Sequence, residues 1–341
     1  MPFIQPDDFR WQALLAQTSH DVYHLPGYCL IEAGLMQGNA VAWHYHSNEL
    51  QCLMPLICRN INGSSQYRDL VSPYGYPGLL CNQSISSEVA ASILQEFHQE
   101  AGQRGYVSSF IRLNPLLNPW KLSGHEVFRQ WMHGGTISID LQRSSEAILL
   151  GFSENHRRNL RKLSSSGFCT AVNDWSTIGD FIRAYRQTMA RRQAHAYYFF
   201  PDSYFNSLQQ LLADKLVYVS ISNINGQFVA GGIFTCFGDV MQYHLGATSN
   251  EAVHQSPSKL MMEVAVRFGV GVGAHTLHLG GGLGGSTSDG LFRFKKGFGN
   301  HFHQFSSLRF IHQPQVYHLL RTETHSDDVQ SDYFPEYRRT I

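Results

Sequence analysis

The stretch Thr276–Gly299 reads TLHLGGGLGGSTSDGLFRFKKGFG and is the most distinctive pattern in the chain. Its first four residues predict a short strand that runs directly into three glycines. A GxGxxG spacing begins at Gly280, but a dinucleotide-binding fold also needs a long apolar helix and an acidic residue about 20 positions further on. No Asp or Glu lies between Asp289 and Glu323, so that fold is not favoured. The glycines predict either a sharp surface turn or a backbone left bare for a substrate.

Alternating aromatic and cationic residues follow, from Phe292 to Lys296. An ammonium group at the edge of an apolar pocket acts strongly on a developing oxyanion, because the surrounding dielectric constant is low. An ordinary amphipathic segment has the same pattern. The residues alone therefore leave a catalytic cation and a structural segment as alternatives.

Upstream, basic residues gather on two predicted helices of a neutral chain. Lys and Arg total 26 and Asp and Glu total 26, so any nucleic-acid contact must come from a local patch. Guanidinium groups suit phosphate oxygens, which favours a nucleotide or an RNA backbone; an ordinary solvated helix face is the alternative. The two groups are Arg157, Arg158, Arg161 and Lys162 on one helix, and Arg183, Arg186, Arg191 and Arg192 on or just after the next long one.

The pattern of apolar residues predicts strands and helices in both halves of the chain. In the second half the predicted strands are 136–141, 216–223, 227–237, 241–246 and 276–279, and the predicted helices are 145–150, 153–167, 176–192, 202–214 and 258–268. In the first half the predicted strands are 28–36, 40–46, 50–58 and 106–113, with a hairpin at 37–39, a helix at 86–104 and a long loop at 114–135.

The length of 341 residues exceeds the roughly 250–300 at which one core stops growing, so two domains are expected. Each half offers antiparallel strands, helices and a return strand. We therefore predict an α/β protein with mixed sheets in two similar domains, residues 1–143 and 144–312.

Several classes of protein and site are not expected. The six cysteines form no CxxC pair, which argues against structural zinc and a disulfide scaffold, and no GxSxG elbow is present. The spacing of His44/His46 and of His301/His303 puts two rings on one strand face, but nothing completes a metal site. No signal peptide or membrane span is visible, so we expect a cytoplasmic protein with reduced thiols, no metal and no cofactor.

The glycine-rich stretch resembles a known family. His278 to Gly282 followed by Asp289 to Gly299 is similar to the C-terminal signature of the Fem-type, or FemAB-like, peptidyltransferases, a branch of the GNAT acyltransferases. Three earlier segments resemble family segments in the expected order, and the likeness covers about residues 20 to 312. These segments are Asp21–Tyr28, Ser72–Gly78 and Asn155–Lys162.

The resemblance implies two GNAT-like domains, with the segment 313–341 returning to the first. Relatives transfer an aminoacyl group from charged tRNA to an amine, without a covalent enzyme intermediate. Lys295 matches the lysine that stabilises the tetrahedral intermediate, with Phe294 beside it, and Tyr243 matches a cleft tyrosine. Either Arg191 or Arg192 matches a substrate-phosphate arginine. The other residues expected to bind substrate or phosphate are Arg157, Arg158 and Arg161 of the basic helix, together with Tyr74 and Tyr76.

The sequence departs from its relatives at two places. Leu245 stands where some relatives have a second tyrosine, which bears on the acceptor pocket. The loop Thr248 to Ser258 lacks the Arg-Gly-x-Gly run whose bare amides hold a pyrophosphate, which favours aminoacyl-tRNA over acyl-CoA as donor. The leading expectation is an aminoacyltransferase that acts on an amine of a cell-wall precursor, saccharide or small metabolite. A CoA-dependent N-acyltransferase of polysaccharide biosynthesis and a non-catalytic binding protein on the same fold are the alternatives.

Overall fold

The computed structural model describes residues 2–61, 64–122, 124–282, 289–324 and 333–339. The strands are β1 (Phe3–Ile4), β2 (Asn39–Ser47), β3 (Leu50–Ile61), β4 (Ser64–Val71), β5 (Leu80–Cys81), β6 (Tyr106–Arg112), β7 (Phe128–Asp140), β8 (Cys169–Val172), β9 (Leu216–Ser222), β10 (Phe228–Phe237), β11 (Val240–Thr248), β12 (Thr276–Gly281) and β13 (His301–Ile311). The α-helices are α1 (Phe9–Gln17), α2 (Pro26–Leu35), α3 (Ser87–Gln103), α4 (Ser145–Leu150), α5 (Glu154–Ser164), α6 (Ile178–Arg191), α7 (Asp202–Leu212), α8 (Ser258–Gly271), α9 (Gly290–Lys296) and α10 (Pro314–Thr324).

The chain divides into two compact units. Unit 1 comprises Met1–His133 and Gln304–Ile341, and unit 2 comprises Gly134–His303. The chain passes from unit 1 to unit 2 within β7 and returns within β13. The boundaries predicted from the sequence, 143/144 and 312/313, lie further along the chain.

The sheet of unit 1 is mixed, with helices on both faces. Its strand order is β1-β2-β3-β4-β6-β13, with β5 added to β3, and β4/β6 is its parallel pair. Alternate residues of β2 pack into the hydrophobic cores on opposite faces of the sheet, because successive side chains of a strand point to opposite faces. Val41 and Trp43 pack with residues of α3, whereas Ala40 and Ala42 pack with residues of α1 and α2.

The prediction of a strand at 28–36 is wrong, because this segment lies in helix α2. Pro26 occupies the first turn of α2, where its missing N–H costs no hydrogen bond. Buried residues at 28, 29, 32 and 33 follow helical spacing. The predicted hairpin at 37–39 is instead the connection from α2 to β2, and Gly38 passes so close to Ile57 that a Cβ would lie 2.6 Å from the Cγ2 of Ile57.

The prediction of a loop over all of 114–135 is also wrong, because β7 begins at Phe128. Strands β4 and β13 were not predicted. The charged and polar residues of β4 hide its strand pattern, although its Asp69 is fully buried. Asp69 accepts hydrogen bonds from Arg59 and Arg338 and from the Tyr337 hydroxyl, which anchors residues near the C-terminus to the sheet of unit 1.

The sheet of unit 2 is mixed as well. Its strand order is β7-β12-β11-β10-β9-β8, and β11/β12 is its parallel pair. One face packs on α4, α5 and α8 through residues such as Ile148, Leu160 and Met261. The other face packs on α6 and α7, with Phe181 lying 5.6 Å from the ring of Tyr218 and 6.2 Å from that of Phe205. The predicted α/β class with mixed sheets is confirmed.

Candidate active site

A cleft opens in unit 2 where two parallel strands separate. β11 and β12 pair only from Val240/Thr276 to Gln242/His278, although β11 continues to Thr248 and β12 to Gly281. Among the described residues, the backbone groups beyond this point have no partner strand across the gap. The residues that follow the last pair therefore border the opening.

A bulge in β11 shapes one side of the cleft. Tyr243 pairs with Phe234 and Leu245 with Ile233, so His244 is an extra residue in the ladder. The bulge puts Tyr243 and Gly246 on the same face, and a Cβ at Gly246 would lie 1.7 Å from the Tyr243 hydroxyl oxygen. The Tyr204 hydroxyl and His244 Nε2 form a hydrogen bond of 2.9 Å, which holds the bulged residue.

A second bulge shapes the other side. In the β12/β7 ladder His278 pairs with Ser138 and Gly280 with Ile137, which leaves Leu279 as the extra residue. Gly280 has a φ of +72°, a backbone conformation that glycine adopts without strain. Gly280 and Gly281, predicted to form either a sharp turn or a bare backbone, thus end a bulged strand at the cleft. Leu283 to Ser288 lie outside the described residues.

Helix α9 places Lys295 at the end of β12. Asp289 caps α9 by accepting a hydrogen bond from the Phe292 N–H at 2.9 Å. Gly282 permits this approach, since a Cβ there would lie 2.4 Å from the Asp289 carboxylate. Lys295 Nζ donates a hydrogen bond of 2.6 Å to the Gly281 carbonyl oxygen, and the residue is only 7% exposed.

Burial lowers the pKa of the Lys295 ammonium to about 7. The Asp289 carboxylate opposes this effect and the Arg192 guanidinium adds to it. Because each charge acts on Lys295, Arg192 and Asp289 belong to its electrostatic surroundings. At neutral pH the lysine lies close to the midpoint of its titration.

The ring of Tyr243 lies next to this ammonium, with 5.8 Å between Lys295 Nζ and the ring centroid. Burial raises the pKa of Tyr243 to about 12, while the Arg192 guanidinium acts in the opposite direction. Tyr243 is therefore a neutral phenol at physiological pH. It offers a hydrogen-bonding group and an aromatic face beside the cation.

A buried polar chain lies on the sheet near these groups. His278 hydrogen-bonds Gln242 Oε1 through Nδ1 at 2.7 Å and Thr136 Oγ1 through Nε2 at 2.9 Å. Burial, together with the neighbouring His303 and Lys295, lowers the pKa of His278 to about 3. His278 is consequently neutral and acts as a fixed support, not as a general base near pH 7.

The structure places Phe294 on a different side of α9 from the cleft lysine. Its ring lies 5.0 Å from Phe298 and 5.7 Å from His156 of α5. His156 Nε2 donates a hydrogen bond of 2.9 Å to the Phe294 carbonyl oxygen. A Cβ on Gly297 would lie 2.3 Å from His156 Nε2, so glycine there lets α5 and α9 pack closely.

The structure distinguishes the two arginines that the resemblance left open. The guanidinium of Arg191 hydrogen-bonds Asn250, Thr188 Oγ1 and the Thr248 carbonyl oxygen, which secures the end of β11. Arg192 is exposed and acts electrostatically on both Lys295 and Tyr243. Arg192 therefore suits a ligand at the cleft, and Arg191 has a structural position.

The basic cluster predicted from the sequence forms one exposed face of α5. Within the described part of the chain its four side chains show no ion pair. Arg158 adds to burial in lowering the pKa of Lys259, which is only 6% exposed in the first turn of α8. The members of this cluster are Arg157, Arg158, Arg161 and Lys162.

Tyr74 and Tyr76 lie in unit 1, in a segment held by hydrogen bonds to its backbone. The Tyr28 hydroxyl donates to the Tyr74 carbonyl oxygen at 3.2 Å, and Asn114 Nδ2 donates to that of Tyr76 at 2.9 Å. Both tyrosine side chains are partly exposed. The two family-like segments 21–28 and 72–78 therefore contact each other, which no local sequence pattern predicts.

The two histidine pairs have separate surroundings. The His44 and His46 rings stack at 6.5 Å, and His303 hydrogen-bonds Ser138 at 2.7 Å. Among the residues that the structure describes, no three His, Cys, Asp or Glu side chains come together as metal ligands. In the same residues, no helix combines the length and the apolar character needed to cross a membrane.

Sequence reasoning missed His156 and Lys259 as residues next to the site. His156 was quoted only within a family-like segment, and its hydrogen bond to Phe294 joins residues far apart in sequence. Lys259 carries no local signal, because its burial results from packing of the first turn of α8. Neither the hydrogen bond of His156 nor the burial of Lys259 can be predicted from a single sequence.

Comparison with known proteins identifies the class to which this fold and cleft belong. Residues 151–296 match the family model described as an acetyltransferase (GNAT) domain. No curated protein matches the sequence. Unit 2 therefore carries a GNAT domain, and the chain is an acyltransferase.

Similar solved structures extend the likeness over both units. FemX is 14% identical with a TM-score of 0.69, and the match covers 94% of this chain and 99% of FemX. L-PGS from Bacillus licheniformis is 15% identical with a TM-score of 0.54, and covers 94% of this chain and 97% of its own. A tandem GNAT protein from the clavulanic acid biosynthesis pathway is 10% identical with a TM-score of 0.50, over 92% and 98% of the two chains. The predicted double-GNAT architecture and the resemblance to Fem-type GNAT acyltransferases are confirmed.

Proposed function

We propose that this protein transfers an aminoacyl group from aminoacyl-tRNA to the amine of a cell-wall precursor, a saccharide or a small metabolite. The observation that carries the proposal is the buried Lys295 ammonium beside Tyr243, at the point where β11 and β12 separate. A cation held at such an opening suits a reaction in which an oxygen gains negative charge.

The chemistry is direct attack of the acceptor nitrogen on the ester carbonyl of the donor. The new C–N bond forms, the carbonyl oxygen becomes an oxyanion, and the Lys295 ammonium stabilises that charge more than the neutral ester. The C–O bond to the tRNA ribose then breaks, and the ribose oxygen takes the proton that the amine loses. Neutral Tyr243 orients a substrate group from the opposite side of the cleft.

The positive charges around the cleft favour a polyanionic donor. Arg192 lies within electrostatic reach of Lys295, and the exposed face of α5 adds four cations. FemX and L-PGS share the fold of this chain. We infer that Arg192 binds a phosphate close to the reacting ester and that α5 binds the tRNA backbone further away.

The start of α8 supports tRNA over acyl-CoA as donor. A pyrophosphate at this position needs bare backbone amides. The N–H groups of Ser256, Lys259 and Leu260 already donate to backbone carbonyls, and Pro257 has no N–H.

One residue favours the second candidate, a CoA-dependent N-acyltransferase. Lys259 is a buried cation in the first turn of α8, and its positive charge could bind a phosphate of CoA.

The test is an acyl-transfer assay on the full chain with a panel of charged tRNAs and of acyl-CoA thioesters, each with amine acceptors. Transfer from tRNA alone supports the proposal, and transfer from CoA alone supports the second candidate. Failure of both donors with every acceptor contradicts both candidates.

Lys295→Met compared with Lys296→Met tests the role of the cleft lysine. Lys296 neighbours Lys295 in α9 but is exposed, with Nζ 5.6 Å from the Phe302 ring centroid, so it is a matched control. Single-turnover rates at saturating donor should fall by about 10²–10³ in Lys295→Met, as for loss of an oxyanion donor, and stay unchanged in Lys296→Met. A normal rate in Lys295→Met, or equal losses in both variants, contradicts the catalytic role.

A further inference from the structure

Two cysteines of unit 1 face each other across neighbouring strands. Cys52 of β3 is the register partner of Cys81 of β5. The Asn82 N–H donates to the Gln51 carbonyl oxygen at 3.0 Å, which makes Gln51/Asn82 the hydrogen-bonded pair. Cys52/Cys81 is then the adjacent non-hydrogen-bonded pair, in which the Cα atoms and side chains of antiparallel strands approach most closely.

The two thiols are in contact, with 2.8 Å between the sulfur atoms, and both are free. The narrow spacing of a non-hydrogen-bonded pair, about 4.5 Å between Cα atoms, falls within the range that a disulfide spans. The register of the two strands therefore suits a disulfide between these residues. The remaining cysteines, Cys29, Cys58, Cys169 and Cys236, are also free thiols.

The pair has one accessible and one inaccessible member. Cys52 is fully buried, whereas Cys81 is partly exposed near the end of β5. The contact with Cys81 and burial both raise the pKa of Cys52 above that of a free thiol. A reagent from solvent therefore meets Cys81 first, and Cys52 lies ready to react next.

We propose that Cys52 and Cys81 form a reversible disulfide by exchange with a small-molecule disulfide such as glutathione disulfide. The Cys81 thiolate attacks one sulfur of the reagent, which breaks the reagent's S–S bond, joins one half to Cys81 and releases the other half as a thiol. The Cys52 thiolate then attacks the Cys81 sulfur, forms the intramolecular S–S bond and releases the second thiol. The two cysteines lose two electrons and two protons, and the reagent is reduced to two thiols.

The disulfide adds a covalent tie to a segment that is now held by hydrogen bonds. Asn118 Oδ1 accepts from the Leu79 N–H at 3.3 Å, and the Gly78 N–H donates to the Arg112 carbonyl oxygen at 2.9 Å. Tyr74 and Tyr76 lie just before these contacts. Oxidation therefore restricts the C-terminal end of the segment that carries both tyrosines.

The first experiment exposes the full-length protein to a series of glutathione and glutathione disulfide ratios. Peptide mass mapping of the wild type should detect a peptide containing Cys52 joined to one containing Cys81, with the loss of two titratable thiols and full reversal by dithiothreitol. Absence of this cross-link, or addition of separate glutathione groups to both residues, overturns the proposal. This readout needs no variant.

Matched variants then separate the two steps. Cys52→Ser should retain a mixed disulfide on Cys81, because no second thiol resolves it, while Cys81→Ser should show no cross-link and Cys169→Ser should behave as the wild type. Hydrogen exchange of residues 74–82 should slow at least several-fold on oxidation of the wild type and stay unchanged in Cys81→Ser. Cross-linking without slower exchange contradicts the effect on this segment.

Discussion

The hydroxyl of Tyr243 occupies the space that a Cβ on Gly246 would fill, with 1.7 Å between that position and the oxygen. Residues three apart on a regular strand face opposite sides, so these two meet only because His244 is bulged out of the ladder. The bulge and the glycine together fix the position of the phenol beside Lys295. Gly246 is therefore part of the candidate site, although it has no functional group.

Gly246→Ala should displace Tyr243 and slow acyl transfer. A methyl group in this position cannot coexist with the present ring orientation, so the phenol must rotate away from the Lys295 ammonium. We expect the single-turnover rate to fall by about tenfold or more, since misplaced groups lose much of their catalytic effect. Gly179→Ala is the control, because a Cβ there meets nothing within 4 Å, and it should leave the rate unchanged. A normal rate in Gly246→Ala contradicts the placement of Tyr243 in the active site.

The activity should depend on pH through the charge of Lys295. In the proposed mechanism the charged form stabilises the oxyanion, and burial lowers the pKa of Lys295 to about 7. The ammonium is therefore present below that pKa and is lost as the pH rises through it. The acceptor amine titrates in the opposite sense, so the wild-type rate alone does not isolate the lysine.

Lys295→Arg removes this ambiguity, because arginine stays charged over the whole accessible range. We expect the ratio of the variant's kcat/KM to that of the wild type to rise with pH, by up to about tenfold per unit above the pKa of the lysine. Both enzymes use the same acceptor, so its titration cancels in the ratio. A ratio that stays constant between pH 6 and 9 is incompatible with a cationic role for Lys295.

His156 should position α9 without touching the substrate. Its Nε2 donates to the Phe294 carbonyl oxygen, one residue before Lys295. His156→Phe keeps a ring against Phe298 but removes this hydrogen bond, which should lower the free energy of unfolding by about 1–2 kcal/mol. The single-turnover rate should fall while the donor Kd stays constant. The control is His318→Phe, because His318 is exposed, and it should leave the rate unchanged. A wild-type rate in His156→Phe would show that α9 keeps its position without this hydrogen bond.

Local pattern predicted most elements of unit 2 but failed at particular places in unit 1. Tyr28 to Met36 contains residues favoured in strands, yet Pro26 starts a helix and burial against α1 and the sheet stabilises it. Strand β13 was missed because it follows the C-terminal signature, where the alternation of apolar and polar residues is weak. Pairing with β6, about 200 residues earlier in the chain, stabilises it instead, and a local pattern does not contain that information.

The candidate site, like the fold, could be predicted from the sequence only in part. Lys295 and Tyr243 came from the family resemblance, and the structure brings these two together. The separation of β11 and β12, the two bulges and the hydrogen bond of Lys295 to Gly281 depend on sheet register, which no stretch of sequence encodes alone. The choice of Arg192 over Arg191 likewise needed the contacts of Arg191 with the end of β11.

The exposed face of α5 should dominate the salt dependence of donor binding. Arg157 and Arg161 lie one helical turn apart, are exposed and show no ion pair among the described residues. Each phosphate that a cation contacts releases counterions, and the slope of log K against log salt changes by about 0.7–0.9 per contact. We expect the double substitution Arg157→Gln, Arg161→Gln to flatten the slope for tRNA binding by about 1.5.

The control is a second double substitution that removes the same amount of positive charge, at Arg183 and Arg186. These residues form ion pairs with Asp180 and Asp202 on the surface of unit 2. The double substitution Arg183→Gln, Arg186→Gln removes the same net charge but breaks local ion pairs, so the general field of the protein changes equally in both variants. The slope of log K against log salt for this control variant should equal that of the wild type within experimental error. Binding is measured by filter retention or anisotropy over at least five salt concentrations with uncharged tRNA, so that catalysis does not contribute. Equal slopes in the two double variants would show that α5 acts only as a solvated surface, and the tRNA would then have to bind elsewhere on the chain.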